Sequence, residues 1–281
     1  MTPSSTMRAN ATGSQRRRTV RTRELMGTVA SVHVIGESPD ARVESAIEAC
    51  LDELDHVESV FSPFRPESDV SRIRAGMLSV DDADPLVSVV VDACAAAKDA
   101  TGGLFDAWHA GWFDPTCYVK GWAVERAARR WLEPLTEHPS VHAAGIGVGG
   151  DLQLFTAEGA DWLWEIGIAD PWHPGAVVAT VQVVSGAVAT SGTAERGSHI
   201  LDPRSGAAAA SVLSATVVAG SLETADLWAT IAVIAGFDDL SWITTAGIRS
   251  GVLVAPDGRI RRWADGVELG PVTFTTVTPR S

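Results

Sequence analysis

The stretch LETADLWAT, residues 222–230, reads as the middle of a buried helix in a half of the chain otherwise made of strands. Leu222, Ala225, Leu227, Trp228 and the following Ile231 surround Asp226 and Thr230 with apolar groups. Asp226 and Thr230 lie four residues apart, on one helical face a turn from each other. A carboxylate in such surroundings is costly unless something pairs with it. The helix runs over 222–235 and stops at Gly236.

Around this helix, the segments 142–147, 151–155, 162–168, 177–184, 211–219 and 251–256 read as strands. The turn PDGR (256–259) leads from the last of them to a short partner. The first half is different. MGTVASVHV (26–34) alternates, with Ala30, Val32 and Val34 on one face, and predicts a strand. Asp40 precedes a helix with Val43, Ile47, Cys50, Leu51, Leu54 and Val57 at helical spacing. After the loop FSPFRPESD (61–69), Asp84-Pro85 opens a second helix that stops at Gly102-Gly103. A third helix is expected over 121–132. Helices early and strands late predict an α+β fold, with largely antiparallel sheets and packed helices. The expected organisation is a disordered leader over 1–22, a single domain over 23–270 and a tail over 271–281.

A net charge of −13 on 281 residues disfavours nucleic acid as a partner, because phosphate binding needs clustered Lys and Arg. The one dense basic run, QRRR (15–18), lies in the Ser/Thr-rich leader and reads as part of a tail. No apolar segment of signal-peptide type follows it, which predicts a cytoplasmic protein. The run VVATVQVVSGAVA (177–189) is broken by Gln182, Ser185 and Gly186, so no membrane insertion is expected. Cys50, Cys94 and Cys117 form no C-x-x-C pair and suit a reducing compartment.

Polar residues gather at four places. In DPTCYVKGWAVERAARR (114–130), Lys120-Gly121 stands at the mouth of a helix and suits a phosphate or another anion, or is an ordinary junction with a surface lysine. It lacks a full P-loop pattern. In GVGGDLQL (147–154), Gly149-Gly150 allows close approach to the backbone or simply makes a tight turn, and Asp151 begins a strand. In VATSGTAERGSHILDPRSG (188–206), Thr190, Ser191, Thr193, Ser198, His199, Asp202 and Arg204 crowd between apolar strands. His199 suits a general base or a phosphate-orienting group, and no G-x-S-x-G elbow supports a hydrolase triad. Last, Asp226 and Thr230 offer hard oxygen ligands of the kind Mg²⁺ prefers. The plain alternative is a structural Asp bonded to a loop N–H.

Taken together, MGT, FRPESDVSR, GLFD, DPTCYVKGWAVERA, GGD, ATSGTAERGSHILDPRSG and ETADLWAT come in the order found in the FAD:protein FMN transferase (ApbE-like) family, which the chain resembles over about 24–258. The resemblance implies a tunnelling-fold type architecture. It also implies Mg²⁺-dependent transfer of FMN from FAD to a Thr or Ser hydroxyl, with AMP released. The partner is then an acceptor protein with an FMN-binding domain. It places Asp226 and Thr230 on the metal by side chain, with the Ala229 carbonyl nearby. The further ligand falls at Cys117 and is read as its backbone carbonyl, a thiol being a poor Mg²⁺ partner. Met26, Phe64, Asp99, Asp114, Lys120 and Leu201 fall at FAD-contact positions, and His199 beside the reacting phosphates. His199 and Asp226 are the implied catalytic pair. Three departures stand out. Gly147 lies where many members carry Asn before the Gly-Gly-Asp, Phe64 lacks a Tyr hydroxyl, and Thr116-Cys117-Tyr118 replaces a smaller, Gly-containing sequence. The same site would also serve an FAD pyrophosphatase giving FMN and AMP, and a degenerate one would leave a non-catalytic FAD-binding protein.

Overall fold

Strand alternation divides the molecule into layers. The computed structural model describes residues 5–9, 17–192 and 200–270. In chain order the strands and helices are β1 (Ser5–Ala9), β2 (Arg17–Leu25), β3 (Thr28–Gly36), α1 (Ala41–Phe61), α2 (Asp69–Arg74), α3 (Pro85–Ala100) and α4 (Thr116–Ala127). There follow β4 (Val141–Val148), β5 (Asp151–Thr156), β6 (Trp164–Ala169), β7 (Val177–Val183), β8 (Gly186–Gly192) and β9 (Ser214–Ala219). The chain continues through α5 (Leu222–Ala235), β10 (Ser250–Val254), β11 (Ile260–Ala264) and β12 (Val267–Leu269). Nine strands form one sheet in the order β12-β11-β10-β9-β8-β5-β4-β3-β2, and β1-β6-β7 form a second. All of these pairings are antiparallel.

Successive residues of a strand point to opposite faces. Ala30, Val32 and Val34 of β3, with Ala144, Ile146 and Val148 of β4, pack against the helices. The intervening set faces the other way. Ile35, Ala143, Leu152, Leu154 and Val188 form a second core with Trp164, Ile166 and Val183 of the three-stranded sheet. On β5 the helix-facing set is therefore Asp151, Gln153 and Phe155, and this parity brings a carboxylate to the helical layer.

Helix starts follow local chemistry. Asp40 accepts from Val43 N at 2.9 Å, Asp84 from Leu86 N at 2.9 Å with Pro85 at the first position, and Ser221 from Thr224 N at 3.2 Å. α5 ends at Gly236, whose φ of +91° few other residues adopt. One helix start needs correction, and one strand, β8, goes unread in the sequence although the expected strand 177–184 agrees with β7. α4 starts at Thr116 rather than at 121, and past Ala127 a π-helical turn carries the chain through Leu132. Gly121, which depresses helix propensity, reads as a boundary in sequence but lies inside the helix. The apolar run 177–189 is two strands in different sheets, β7 and β8, with the crossing at Ser185, whose hydroxyl accepts from Thr156 N at 2.9 Å. Among the described residues, no helix is long and apolar enough to cross a membrane.

The composition-based leader also differs from the structure, because residues 17–22 belong to β2. This is an edge strand and has little apolar alternation to reveal it. Its arginines meet α1 instead. Arg23 pairs with Glu48 and Asp52 at 2.7 Å each and with Asp55 at 2.5 Å, and Arg21 pairs with Glu44. Those four acids recur at helical spacing on one face of α1.

His33 on β3 is a buried exception, 8% exposed. Its Nδ1 accepts from Arg18 Nε at 3.2 Å and is 3.0 Å from Arg18 Nη2, so the proton is on Nε2, 3.0 Å from Ser31 Oγ. Burial, and secondarily the Arg18 charge, push its pKa down to about 4. The unfolded chain binds a proton near pH 6.5 that the folded chain refuses until about pH 4, so stability falls as pH drops through that window. Denaturant unfolding at pH 7 and pH 4.5 should show this loss. His33→Asn, which keeps an acceptor for Arg18 but does not titrate, should make the pH dependence shallower by about 2–3 kcal/mol.

Candidate active site

α5 is buried on nearly all sides, from Leu222 through Val233, and Asp226 is only 4% exposed. α4 packs directly on it, and the contact is made at Gly121. A Cβ there would come within 2.7 Å of Asp226 Cβ and 2.9 Å of the Leu222 carbonyl oxygen. The missing side chain lets the Gly121 N–H donate to Asp226 Oδ2 at 3.0 Å. In a regular helix that N–H would serve the Cys117 carbonyl, four residues back.

The preceding residue supplies charge. Lys120 Nζ pairs with Asp151 and lies 3.5 Å from Asp226 Oδ1. Asp151, 1% exposed, follows the turn at Gly149 and Gly150, both at positive φ (+59° and +96°). Its Oδ1 accepts from Thr190 N of β8 at 3.0 Å. Thr190 Oγ1 lies 2.8 Å from Thr216 Oγ1 of β9, and Ser191 Oγ 3.0 Å from Thr230 Oγ1. Two residues along β5, Gln153 Oε1 accepts from Leu222 N at 2.9 Å while its Nε2 donates to the Gly186 carbonyl at 3.3 Å. β5 thus holds both the first residue of α5 and the lysine that faces its carboxylate.

The cluster counts two buried carboxylates against one ammonium among the described residues. Burial raises the Asp226 pKa to about 6; Lys120 opposes the rise, Asp151 adds to it, and the Gly121 N–H opposes it. A second positive charge would relieve this deficit. The Asp226 carboxylate and the Thr230 hydroxyl, one turn apart on α5, are hard oxygens of the kind a hard cation takes. Among the described residues no three His, Cys, Asp or Glu side chains group as a metal site, so a cation here would rest on one carboxylate, a hydroxyl and backbone. The Cys117 side chain is exposed near the start of α4, where the Asp114 carboxylate accepts from Thr116 N at 3.1 Å and from its hydroxyl.

The structure therefore brings together Asp226, Thr230 and Lys120 from the sequence-derived set, and adds Asp151, Thr190, Ser191 and Gly121. The Gly-Gly-Asp turn was the available signal for Asp151. Other expected positions lie apart from this bonded network. Met26 (φ +51°) forms the β2–β3 turn with Gly27 and is partly buried against the helical core. Phe64 is 89% exposed in the loop after α1, Asp99 is exposed near the end of α3, and Leu201 pairs with Ala208 in a short bridge. His199 lies outside the described residues.

Comparison with known proteins gives this arrangement a class. The fold is that of flavin transferases of known structure. It superposes on the ApbE protein of Thermotoga maritima with a TM-score of 0.71 at 22% identity, covering 88% of this chain and 97% of that one. The values are 0.69 and 20% for the apo flavinyl transferase ApbE of Pseudomonas stutzeri, covering 89% and 95%. For the flavin transferase ApbE of Vibrio cholerae they are 0.67 and 19%, covering 89% and 97%. The sequence model of the ApbE family matches residues 26–114 and 110–250, and the chain belongs to that family. It is 30% identical over 180 residues to an FAD:protein FMN transferase of Rhodobacter capsulatus, a match that takes in 58% of this chain and 33% of the relative. The chain thus spans about a third of the curated relative's length.

The Gly121 contact is directly testable. Gly121→Ala gains about 1 kcal/mol of helix propensity but sets a methyl against atoms that cannot rotate away, at a cost of about 1–3 kcal/mol. The expected outcome is a Tm several degrees below wild type by calorimetry. A Tm at or above wild type would show slack between α4 and α5.

Proposed function

We propose that this chain transfers the FMN part of FAD to a Thr or Ser hydroxyl of an acceptor protein carrying an FMN-binding domain, with Mg²⁺ as cofactor. Membership of the ApbE family supports this reading. The observation that carries it to a site is the buried Asp226, which shares the Lys120 ammonium with Asp151 and stands one helical turn from the buried Thr230. In the proposed reaction the acceptor oxygen bonds to the FMN phosphorus. The bond from that phosphorus to the bridging oxygen breaks, and AMP leaves with that oxygen.

Asp226, Thr230 and the carbonyls of Cys117 and Ala229 would hold Mg²⁺, which neutralises charge on the pyrophosphate oxygens when bound. Lys120 orients the pyrophosphate and adds fixed positive charge. Asp151 holds Lys120 in place through their ion pair. His199 takes the acceptor hydroxyl proton. Met26, Phe64, Asp99, Asp114 and Leu201 contact FAD along its length. Phe64, exposed and lacking a hydroxyl, contributes by stacking alone. The cysteines are all free, and the exposed Cys117 thiol suits a reducing cytoplasm.

Transfer can be followed by in-gel flavin fluorescence after incubation with FAD, Mg²⁺ and an FMN-binding-domain protein. Asp226→Asn keeps the shape but loses the charge, and should reduce transfer by about 10²-fold or more with the fold intact by circular dichroism. Thr230→Val should be milder, since a neutral hydroxyl contributes less. Wild-type rates for Asp226→Asn at an unchanged Mg²⁺ requirement would remove the metal assignment. Release of FMN and AMP with no labelled protein would mark a pyrophosphatase instead.

Flavin titration supplies an independent check. FAD should bind more tightly than FMN, because the proposed contacts extend over the pyrophosphate and adenosine. Lys120→Ala should weaken FAD by about tenfold, the scale of one charge-assisted contact. Equal affinities for FMN and FAD would contradict the assigned site.

A further inference from the structure

α4 and α5 face each other through two stripes of the same spacing. α4 contributes Tyr118, Gly121 and Glu125, and α5 contributes Glu223, Asp226 and Thr230. Each set follows the i, i+3, i+7 pattern of one helical face. The middle pair is the Gly121–Asp226 hydrogen bond at 3.0 Å. Glu223 is gripped from both ends of the α4 stripe. Its backbone N–H donates to Glu125 Oε2 at 2.9 Å, and its carboxylate accepts from the Tyr118 hydroxyl. Tyr118 is 3% exposed, and its ring packs on Phe105 with centroids 5.8 Å apart, so the hydroxyl has little freedom of aim.

Tyr118 directly follows Cys117, whose carbonyl is the proposed α4 ligand, while Asp226 and Thr230 are the α5 ligands. From this geometry we propose that Tyr118 is a positioning residue for the cation site. Its bond to Glu223 fixes the separation between the Cys117 carbonyl and the Asp226–Thr230 face. The inference rests on the metal reading given above and adds a residue that touches neither metal nor flavin. Without the bond, the remaining polar ties from α4 to α5 among the described residues, at Lys120, Gly121 and Glu125, all lie further along the helix than Cys117. The carbonyl ligand then loses its fixed place.

Mn²⁺ binding to the full chain, read by the loss of the free-ion EPR signal, separates the possibilities. Tyr118→Phe should raise the Mn²⁺ Kd about five- to tenfold, the scale of one hydrogen bond, and leave metal-free FAD affinity unchanged. Glu223→Gln retains an acceptor oxygen and should stay within about twofold of wild type. Glu223→Ala should match Tyr118→Phe, and the double variant should lose no more than either alone. Glu223→Ala alters a half-buried side chain and carries the test if Tyr118→Phe fails to fold. A lowered Tm at unchanged Mn²⁺ Kd overturns the positioning role and leaves the metal reading standing. Absence of Mn²⁺ binding by the wild type overturns the metal reading, and this inference with it.

Discussion

The approach of α4 to α5 at Gly121 governs the rest of the site. A buried carboxylate is tolerated only where partners are brought to it, and here they come on the backbone of a neighbouring helix. Gly121 gives its N–H to Asp226, and the residue before it delivers an ammonium group. Any side chain at 121 would push both away. Among the described residues, Asp226 and Asp151 share one ammonium, and this charge count is what the proposed cation would balance.

The sheet keeps that contact in register. Asp151 and Gln153 are alternate residues of one strand and share its helix-facing side. One holds Lys120, and the other takes the first N–H of α5. Sliding β5 by one residue would turn both side chains into the second core, against Ile35, Val188 and Trp164, and turn Leu152 and Leu154 out of it. Positioning thus depends on the same parity that sorts the apolar residues between the two cores.

Much of this was legible in the sequence where a local pattern decides structure. α5 has a serine cap, an apolar body and a terminal glycine, and its expected span of 222–235 agrees with the structure. α1 and α3 announce themselves through Asp40 and Asp84-Pro85. The pattern fails where tertiary packing overrides local preference. Gly121 reads as a helix boundary because glycine disfavours helices, yet it is inside one because a neighbour needs the space. β2 is concealed because an edge strand tied down by arginines does not alternate in hydrophobicity. β8 is concealed inside an apolar run that changes sheets. Asp226 stood out as a misplaced charge, whereas Asp151 looked like an ordinary strand start. Its meeting with Lys120 is a fact about packing that no local spacing encodes.

The arginine ladder between β2 and α1 has a consequence for how the molecule responds to ionic strength. Asp52, Glu48 and Asp55 are about half exposed or more, at 69%, 56% and 47% of their side-chain surface, and the ladder joins the edge strand to the helical layer across open solvent. Dissolved ions compete with such pairs, and the Debye length shrinks to about 3 Å at 1 M salt. The Lys120 cluster is built from the same charge types, but its carboxylates are 1% and 6% exposed. Concentrated salt therefore loosens the rim of the sheet while leaving the centre bound, so the two charge systems of this fold separate along a single experimental axis.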